Sequence, residues 1–519
     1  MLPLSLVAQN LNPEVQVTNA YETRINDVTK QAPSMTVPDS MLRFDYHFDY
    51  SVFDSPYKGA YEFSPYSVLV APEAAGYDGR KFYLRAGAGW TMKPEAELDW
   101  SIFDGKKASL DLFGRGDGYW GRYRRILKNT FDVDGDVRDW GWDFRTVAGL
   151  SSRFDVANSE LRAELAYDGI FTGLKGFQES VGHAPYARVQ FSHLVYNDIA
   201  YTADVRYRFV RDMVLGLAPV QDHDVRADLS VLPYYNEELV MGADLLFTYN
   251  SWYLGLGFRP HAEFSLGNWD FDLGLRLGWW PQHFNISPDV KVVFHAFDGY
   301  LDIYANAVGQ NYHLSYWDYK SFAHRFVNDS NYPDPAPVRE IADLCLGFKG
   351  FSDFGLHYDL KAGYRFLENA PMWGIGADGG EAIILRDYNS LHADLDLAWC
   401  SKRLEIEGGC HYKWLPYGAG EGVFAPAAVT AGLKATYNYM NRIYVGIGAD
   451  MSTDRVATVG GGQVVLPWYV DLGAKAEYRF NKHLGAWLKG GNLLNMDIRQ
   501  SPMYSPLGPS VLAGITLSL

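Results

Sequence analysis

The stretch Trp269-Asp270-Phe271-Asp272-Leu273-Gly274-Leu275-Arg276-Leu277-Gly278-Trp279 sets apolar side chains on every odd position and Asp, Gly or Arg on every even one. Successive side chains of a strand point to opposite faces, so this pattern gives one apolar and one polar face, with tryptophan at both ends of the apolar one. A strand that crosses a membrane at a tilt needs about nine to eleven residues, whereas a strand of a soluble sandwich needs about five or six. The stretch has the longer span. The same rhythm fills 199–209, where Tyr201, Ala203, Val205, Tyr207 and Phe209 alternate with Thr202, Asp204, Arg206 and Arg208. It fills 354–366 as well, with Phe354, Leu356, Tyr358, Leu360, Ala362, Tyr364 and Phe366 against His357, Asp359, Lys361, Gly363 and Arg365. It begins at Phe82, Leu84, Ala86, Ala88 and Trp90 and runs to the C-terminus.

Composition agrees with lipid on one face of such strands. Aromatic residues make up 15% of the 519, with 36 Tyr, 29 Phe and 15 Trp, and charged residues only 21%. Aromatics gather where lipid meets water, which accounts for the excess. No uninterrupted apolar run reaches the roughly 18 residues of a membrane helix, so a helical membrane protein is excluded. The formal charge of -16 repels phosphate and argues against nucleic acid as a partner. Cys345, Cys400 and Cys410 are too few and too irregularly spaced for a disulfide framework or a zinc site, and they read as free thiols.

The connections give an independent test. Reading back from the C-terminus, short links at 481–483, 439–441, 401–402, 350–353 and 298–299 alternate with long ones near 493–508, 453–465, 414–425, 368–388 and 310–339. Outer-membrane barrels have short periplasmic turns and long extracellular loops. Arg259-Pro260 could pass for a hairpin tip and invert the order of everything before it. However, Leu254, Leu256, Phe258, Pro260, Ala262, Phe264 and Leu266 keep one parity, so one long strand with a local bulge at the proline is expected. Further short links then fall at 233–237, 196–198 and 154–157. The fold class is all-β: a transmembrane antiparallel barrel of about 22 strands spanning 82–519, an even number that returns the C-terminus to the side of the short turns. Residues 1–9 read as the end of a secretory signal, and the proline-broken segment 10–81 as an extended periplasmic or lumenal stretch.

Near the end stand Trp487-Leu488-Lys489-Gly490-Gly491-Asn492-Leu493-Leu494-Asn495, then Tyr504, Pro506, Pro509 and a last strand with Val511, Ala513, Ile515, Leu517 and Leu519 on one face. That strand is expected to close the cylinder against the first. This ending resembles that of TonB-dependent outer-membrane receptors, whose penultimate strand finishes in an Asn-Leu-Phe-Asn-like turn. Leu494 replaces the usual Phe, and Leu519 stands where a terminal aromatic is commoner. The resemblance covers the barrel and implies a Gram-negative outer-membrane location. It does not extend to the plug domain that family members carry, since so few residues precede Phe82. Pro13-Glu14-Val15-Gln16-Val17-Thr18-Asn19 has the β-branched character of the short box that pairs with TonB, but such strings arise by chance. A linker is the plainer reading, and a TonB contact is not carried over.

The polar faces hold many charges, among them Asp204, Arg206, Arg208, Asp270, Asp272, Arg276, Asp359, Lys361, Arg365, Lys475, Glu477 and Arg479, which are candidates to line a lumen. They either set the selectivity of a water channel or pair across strands as a solvated wall, each favourable pair contributing about 0.2 to 1 kcal/mol. Asp132, Asp134 and Asp136, around Gly135, form a weak calcium candidate that lacks the distant bidentate Glu of an EF-hand. Asp222-His223-Asp224 and the aromatics Tyr312, Tyr316, Trp317 and Tyr319 fall in expected surface loops. No nucleophile elbow, phosphate-binding loop or zinc motif is present, which argues against an enzyme, and no cofactor is called for. Two function classes remain. One is a solute-transporting or receptor barrel. The other is a membrane-embedded scaffold that binds a surface lipoprotein or a second barrel. In both, lipid and lipopolysaccharide surround the wall.

Overall fold

A computed structural model describes residues 81–519 apart from 126–136, 175–178, 215, 237, 282, 298, 327–335, 377–380, 500–503 and 507. The strands are β1 (Phe82–Trp90), β2 (Glu95–Asp104), β3 (Ala108–Arg125), β4 (Val137–Val156), β5 (Ser159–Leu174), β6 (Ser180–His193), β7 (Ala200–Val214) and β8 (Val220–Tyr235). Then come β9 (Leu239–Tyr249), β10 (Leu254–Leu266), β11 (Trp269–Trp280), β12 (His283–Phe297) and β13 (Leu301–Tyr312), followed by a helix, α1 (Tyr316–Phe322). The chain continues through β14 (Val338–Phe351), β15 (Leu356–Ile375), β16 (Glu381–Cys400), β17 (Leu404–Trp414), β18 (Val429–Tyr439) and β19 (Ile443–Ser452). It ends with β20 (Arg455–Val459), β21 (Gly462–Leu466), β22 (Tyr469–Arg479), β23 (Leu484–Gly491), β24 (Tyr504–Pro506) and β25 (Ser510–Ser518).

Each wall strand pairs antiparallel with the next. β20 and β21 form a separate hairpin, β19 pairs with β22, β23 with β25, and β25 with β1, which closes a 22-stranded barrel. The backbone N–H groups of Lys81 and Phe82 both donate to the carbonyl of Leu519, at 2.6 and 2.9 Å, so the last residue caps the seam. No helix among the described residues is long and apolar enough to cross a membrane.

Strand β10 is continuous, as its parity implies. Its register against β9 passes straight through Pro260 opposite Ala243, and against β11 it is the same on both sides of the proline. The expected bulge is absent. Proline lacks only its own N–H, so one ladder bond is missing and the register need not slip. At the turn that follows, Gly267 takes a φ of 61°, which a two-residue hairpin link demands and most side chains resist.

Along β11, Trp269, Leu273, Leu275 and Trp279 are exposed, while the intervening polar residues are partly covered. Ten residues separate the two tryptophans, and at about 3.4 Å per residue and a tilt near 45° that is a vertical span of about 24 Å, the height of a lipid-facing band. Exposed Phe103, Phe154, Tyr196, Tyr234, Phe297, Tyr439 and Phe480 ring the end that carries the short links. Exposed Trp90, Trp120, Trp140, Tyr249, Trp279 and Trp414 ring the other. The apolar wall between two aromatic girdles places the barrel in an outer membrane.

Two expected loops are corrected. Residues 368–388 are mostly strand: β15 runs to Ile375 and β16 starts at Glu381, with a register shift between Leu367 and Ala370. Asp222, His223 and Asp224 lie within β8. Along 370–375 the alternation fades because that stretch is covered on both sides, whereas in β8 the exposed His223 alternates with the buried Asp222 and Asp224, so the strand continues there with a polar inner face.

Candidate functional site

The residues that follow β13 do not remain on the surface. Tyr316, Trp317, Tyr319 and Phe326 are almost wholly buried, and with Leu314, Ala323 and Val338 they pack against Ile170 of β5, Ala184 of β6, Val210 of β7, and Ala370 and Ile383 of β15 and β16. The contacts on β5 to β7 fall on the face opposite the exposed apolar residues. A segment leaving the wall between β13 and β14 therefore reaches strands far around the ring from the inside. Tyr312, placed by sequence in the same loop, is instead the last residue of β13.

Polar anchors fix α1 in place. Its N-terminus is capped by Asp318, whose Oδ2 accepts from the Ser315 N–H at 2.8 Å. The same carboxylate pairs with Arg226 of β8 and lies 3.7 Å from Arg208 of β7. Burial would raise its pKa, but Arg226, Arg208 and Arg206 together hold it well below the usual carboxylate range. The Tyr316 hydroxyl donates to Asp212 Oδ2 at 2.6 Å, and the Trp317 indole N–H donates to Asp168 Oδ2 at 2.8 Å. The fully buried Lys320 lies 3.0 Å from the equally buried Asp212, and its Nζ also donates to Ser180 and to the Phe326 carbonyl. Burial lowers the Lys320 pKa, and Asp212 opposes that shift. His324 meets Asp143 of β4 at 2.6 Å. On the far side Phe322 stacks on Trp373 of β15 at 4.8 Å between ring centres. The loop between β9 and β10 joins in: the Tyr253 hydroxyl donates to the Leu314 carbonyl at 2.7 Å, and Trp252 stacks on Tyr316. Beside it, burial and then Arg226 push the His313 imidazole down to about 3.

Below this core the wall charges are extensively paired. Asp204 is held by Arg188, while Arg206 and Arg208 face Asp224 at 3.2 and 3.8 Å. Arg259 bridges Asp244, Asp272 and Asp289, and Arg276 lies 3.2 Å from Asp289. His295 joins Asp270 to Asp302 at 2.7 Å each. Arg365 meets Glu340 and Asp343, Lys361 lies 3.6 Å from Asp394, and Asp359 accepts from Tyr304. Glu477 pairs with Arg479 at 3.3 Å, and Lys475 is buried on the same strand. The twelve sequence candidates thus share one face and belong to several local networks of mixed sign. Asp132, Asp134 and Asp136 lie outside the described residues, and no metal-ligand group occurs among those described.

Sequence reasoning missed the docked segment and its anchors Asp168, Asp212, Ser180 and Asp318. A signal was available. Residues 169–174 (Gly-Ile-Phe-Thr-Gly-Leu), 370–375 (Ala-Pro-Met-Trp-Gly-Ile) and 382–385 (Ala-Ile-Ile-Leu) lose the charged inner face, which marks strands whose inner side meets protein and not water.

A closed wall of 22 strands, two aromatic girdles and a polar interior define an outer-membrane β-barrel. Its barrel resembles those of TonB-dependent receptors. The chain aligns with the siderophore receptor PirA from Acinetobacter baumannii at a TM-score of 0.63 and 9% identity, covering 85% of this chain and 80% of that one. The copper transporter OprC gives 0.63 and 11% over the same shares, and the FrpB iron transporter from Neisseria meningitidis gives 0.64 and 10% over 85% and 81%. At such identities the likeness is one of fold. No family model matches the sequence, and no curated protein does.

Proposed function

We propose that this protein is a receptor-type transport barrel whose mouth is held shut by residues 313–326, which follow β13 and include α1. The observation that carries this reading is α1, seated on the inward faces of β5 to β8 by Tyr316, Trp317, Asp318 and Lys320. Solute enters when that segment is displaced, and the candidate lumen charges then form the wall it meets. Because opposite charges are paired, the wall carries little field of one sign and favours a bulky or neutral complex over a simple ion. The solved barrels with the same fold include siderophore, copper and iron receptors or transporters, so metal chelates are the first class of solute to test.

A second reading, a membrane-embedded scaffold, draws on the surface beyond the strands. There β20 and β21 pack beside residues 421–425, which bond to Trp373 and Ile375 of β15, and a cavity of about 530 Å³ opens between Gly420, Glu421, Val456 and Thr458. Tyr417 beside it is 84% exposed, an apolar contact on offer to a lipoprotein or second barrel.

Planar bilayers separate the two readings. The wild-type protein should be electrically quiet, and a variant with 313–337 replaced by a short Gly-Ser link should give discrete conductance steps. A shortened variant that stays silent, in a protein that copurifies from native membranes with a partner at fixed ratio, would reject transport in favour of the scaffold.

A further inference from the structure

The outward wall of β3 to β7 carries an unusual combination at the level of the upper girdle. Trp120, Trp142, Phe144 and Phe171 enclose an apolar groove of about 420 Å³ that opens towards lipid. Trp120 pairs across the strands with Trp142, and Phe144 with Phe171, so the four rings occupy one face of β3, β4 and β5. One step higher on that face, the exposed Arg122 lies against Trp140, its guanidinium 5.6 Å from the ring. On the other flank Phe171 meets the His183 ring edge-on at 5.8 Å, and His183 sits cross-strand from the exposed Arg211. The surface is therefore continuous: a cation, an apolar groove, a histidine and a second cation.

Among the described residues neither Arg122 nor Arg211 has a carboxylate partner, and no Asp or Glu of β3 to β8 shares their outward face from the groove to the strand ends; the carboxylate that reaches that face is Asp497, held by Arg124 at 3.1 Å. That is conspicuous in a chain of net charge -16, where the inward cations are so largely neutralised. An unpaired guanidinium on a lipid-facing wall is costly at mid-membrane and tolerable near the interface, where it can meet phosphate. From Arg122 to Arg211 the footprint covers four strand spacings, about 19 Å, across the strands and six residues, about 20 Å, along them, so it is wider than one acyl chain. It lies at the end with the long links, which is the outer leaflet.

We infer that this face is a specific docking site for phosphorylated, multiply acylated glycolipids of the outer leaflet, with a phosphate on Arg122, an acyl chain in the groove of Trp120, Trp142, Phe144 and Phe171, and the phosphate of a neighbouring glycolipid on Arg211. The site is independent of what passes through the barrel.

Native mass spectrometry of the detergent-purified full chain tests it, with bisphosphorylated lipid A, its enzymatically dephosphorylated form and phosphatidylglycerol as separate probes. The wild-type protein should retain lipid A at least tenfold more strongly than either comparison lipid. The Arg122→Ala/Arg211→Ala variant should lose that preference, and Trp120→Ala should weaken retention of all acylated probes while keeping the preference for phosphate. Both variants should keep heat-modifiable migration on gels, which shows that the barrel is folded. Equal retention of the dephosphorylated lipid or of phosphatidylglycerol by the wild type, or unchanged lipid A retention in a folded double-arginine variant, overturns the assignment.

Discussion

Trp487 shows how much of the seam rests on single residues. Its indole is 3% exposed and lies in a trough left by Gly87 on β1 and Gly514 on β25, while Arg85 stacks on it at 4.3 Å. A Cβ placed on Gly514 would sit 2.3 Å from both the ring and the Ala86 carbonyl oxygen, and one on Gly87 would sit 2.4 Å from the ring. Gly514→Ala should therefore destabilise the barrel by about 1 to 3 kcal/mol, as overpacking does. The midpoint at which the compact gel band converts on heating should fall accordingly. Adding Trp487→Leu should recover part of the loss, because it frees the space. An unshifted midpoint in Gly514→Ala would mean that the seam tolerates strain elsewhere. Asn492 and Asn495 make a similar point: both take positive φ, near 47° and 54°, and the Asn492 side chain accepts from the Met496 N–H at 2.9 Å. The Asn pair in the family-like ending thus has a conformational cause.

Among the elements, α1 is the one whose position depends most on charge. Asp318→Asn removes one of the two carboxylates, Asp318 and Asp224, that Arg226 and Arg208 share in a buried setting, and removing one partner of such a set costs up to about 3 to 5 kcal/mol. The variant should expose 313–337 to limited proteolysis while the wall stays intact. The pH response has the same sign for both loop groups. His313, held near 3 against an ordinary 6.5, must be neutral to dock, so its contribution is complete above pH 6.5 and is lost as the pH falls towards 3. While it titrates only in the released state, each pH unit costs about 1.4 kcal/mol of docking. Asp318, held below its ordinary 3.8, adds a further loss under that value. Proteolytic nicking of the segment should rise on acidification below pH 6.5, and His313→Gln should flatten the upper part of that rise. This element was illegible in advance for a physical reason. Alternation reports two different solvents on the two faces of a strand, and it identified β7, β11 and the lower part of β15. Where strand ends are covered on both sides, as at Ala370 to Ile375, the contrast vanishes and the stretch reads as a loop. The partners of Asp168 and Asp212 lie about 150 and 100 residues away in sequence, which no local pattern encodes.

For the whole molecule, the even parity of the wall makes a prediction for its native thiols. Cys410 lies on the outward face of β17, beside Leu395 and Ala431, and is exposed there, whereas Cys345 of β14 lies on the inward face between Asn306 and Gly363. In intact membranes a lipid-soluble maleimide should label Cys410, and a charged, impermeant one should not. Reaction of Cys410 with the charged reagent would invert the assignment of faces throughout the barrel.

The bond from the first strand to the final residue also sets a schedule. β1 is among the first parts of the wall to be made, yet its second partner, β25, is the wall strand that follows all the others. Until β25 has been made, β1 carries a bare edge. Closure of the wall therefore waits on β25, and loss of that strand is a defect of assembly before it is one of stability.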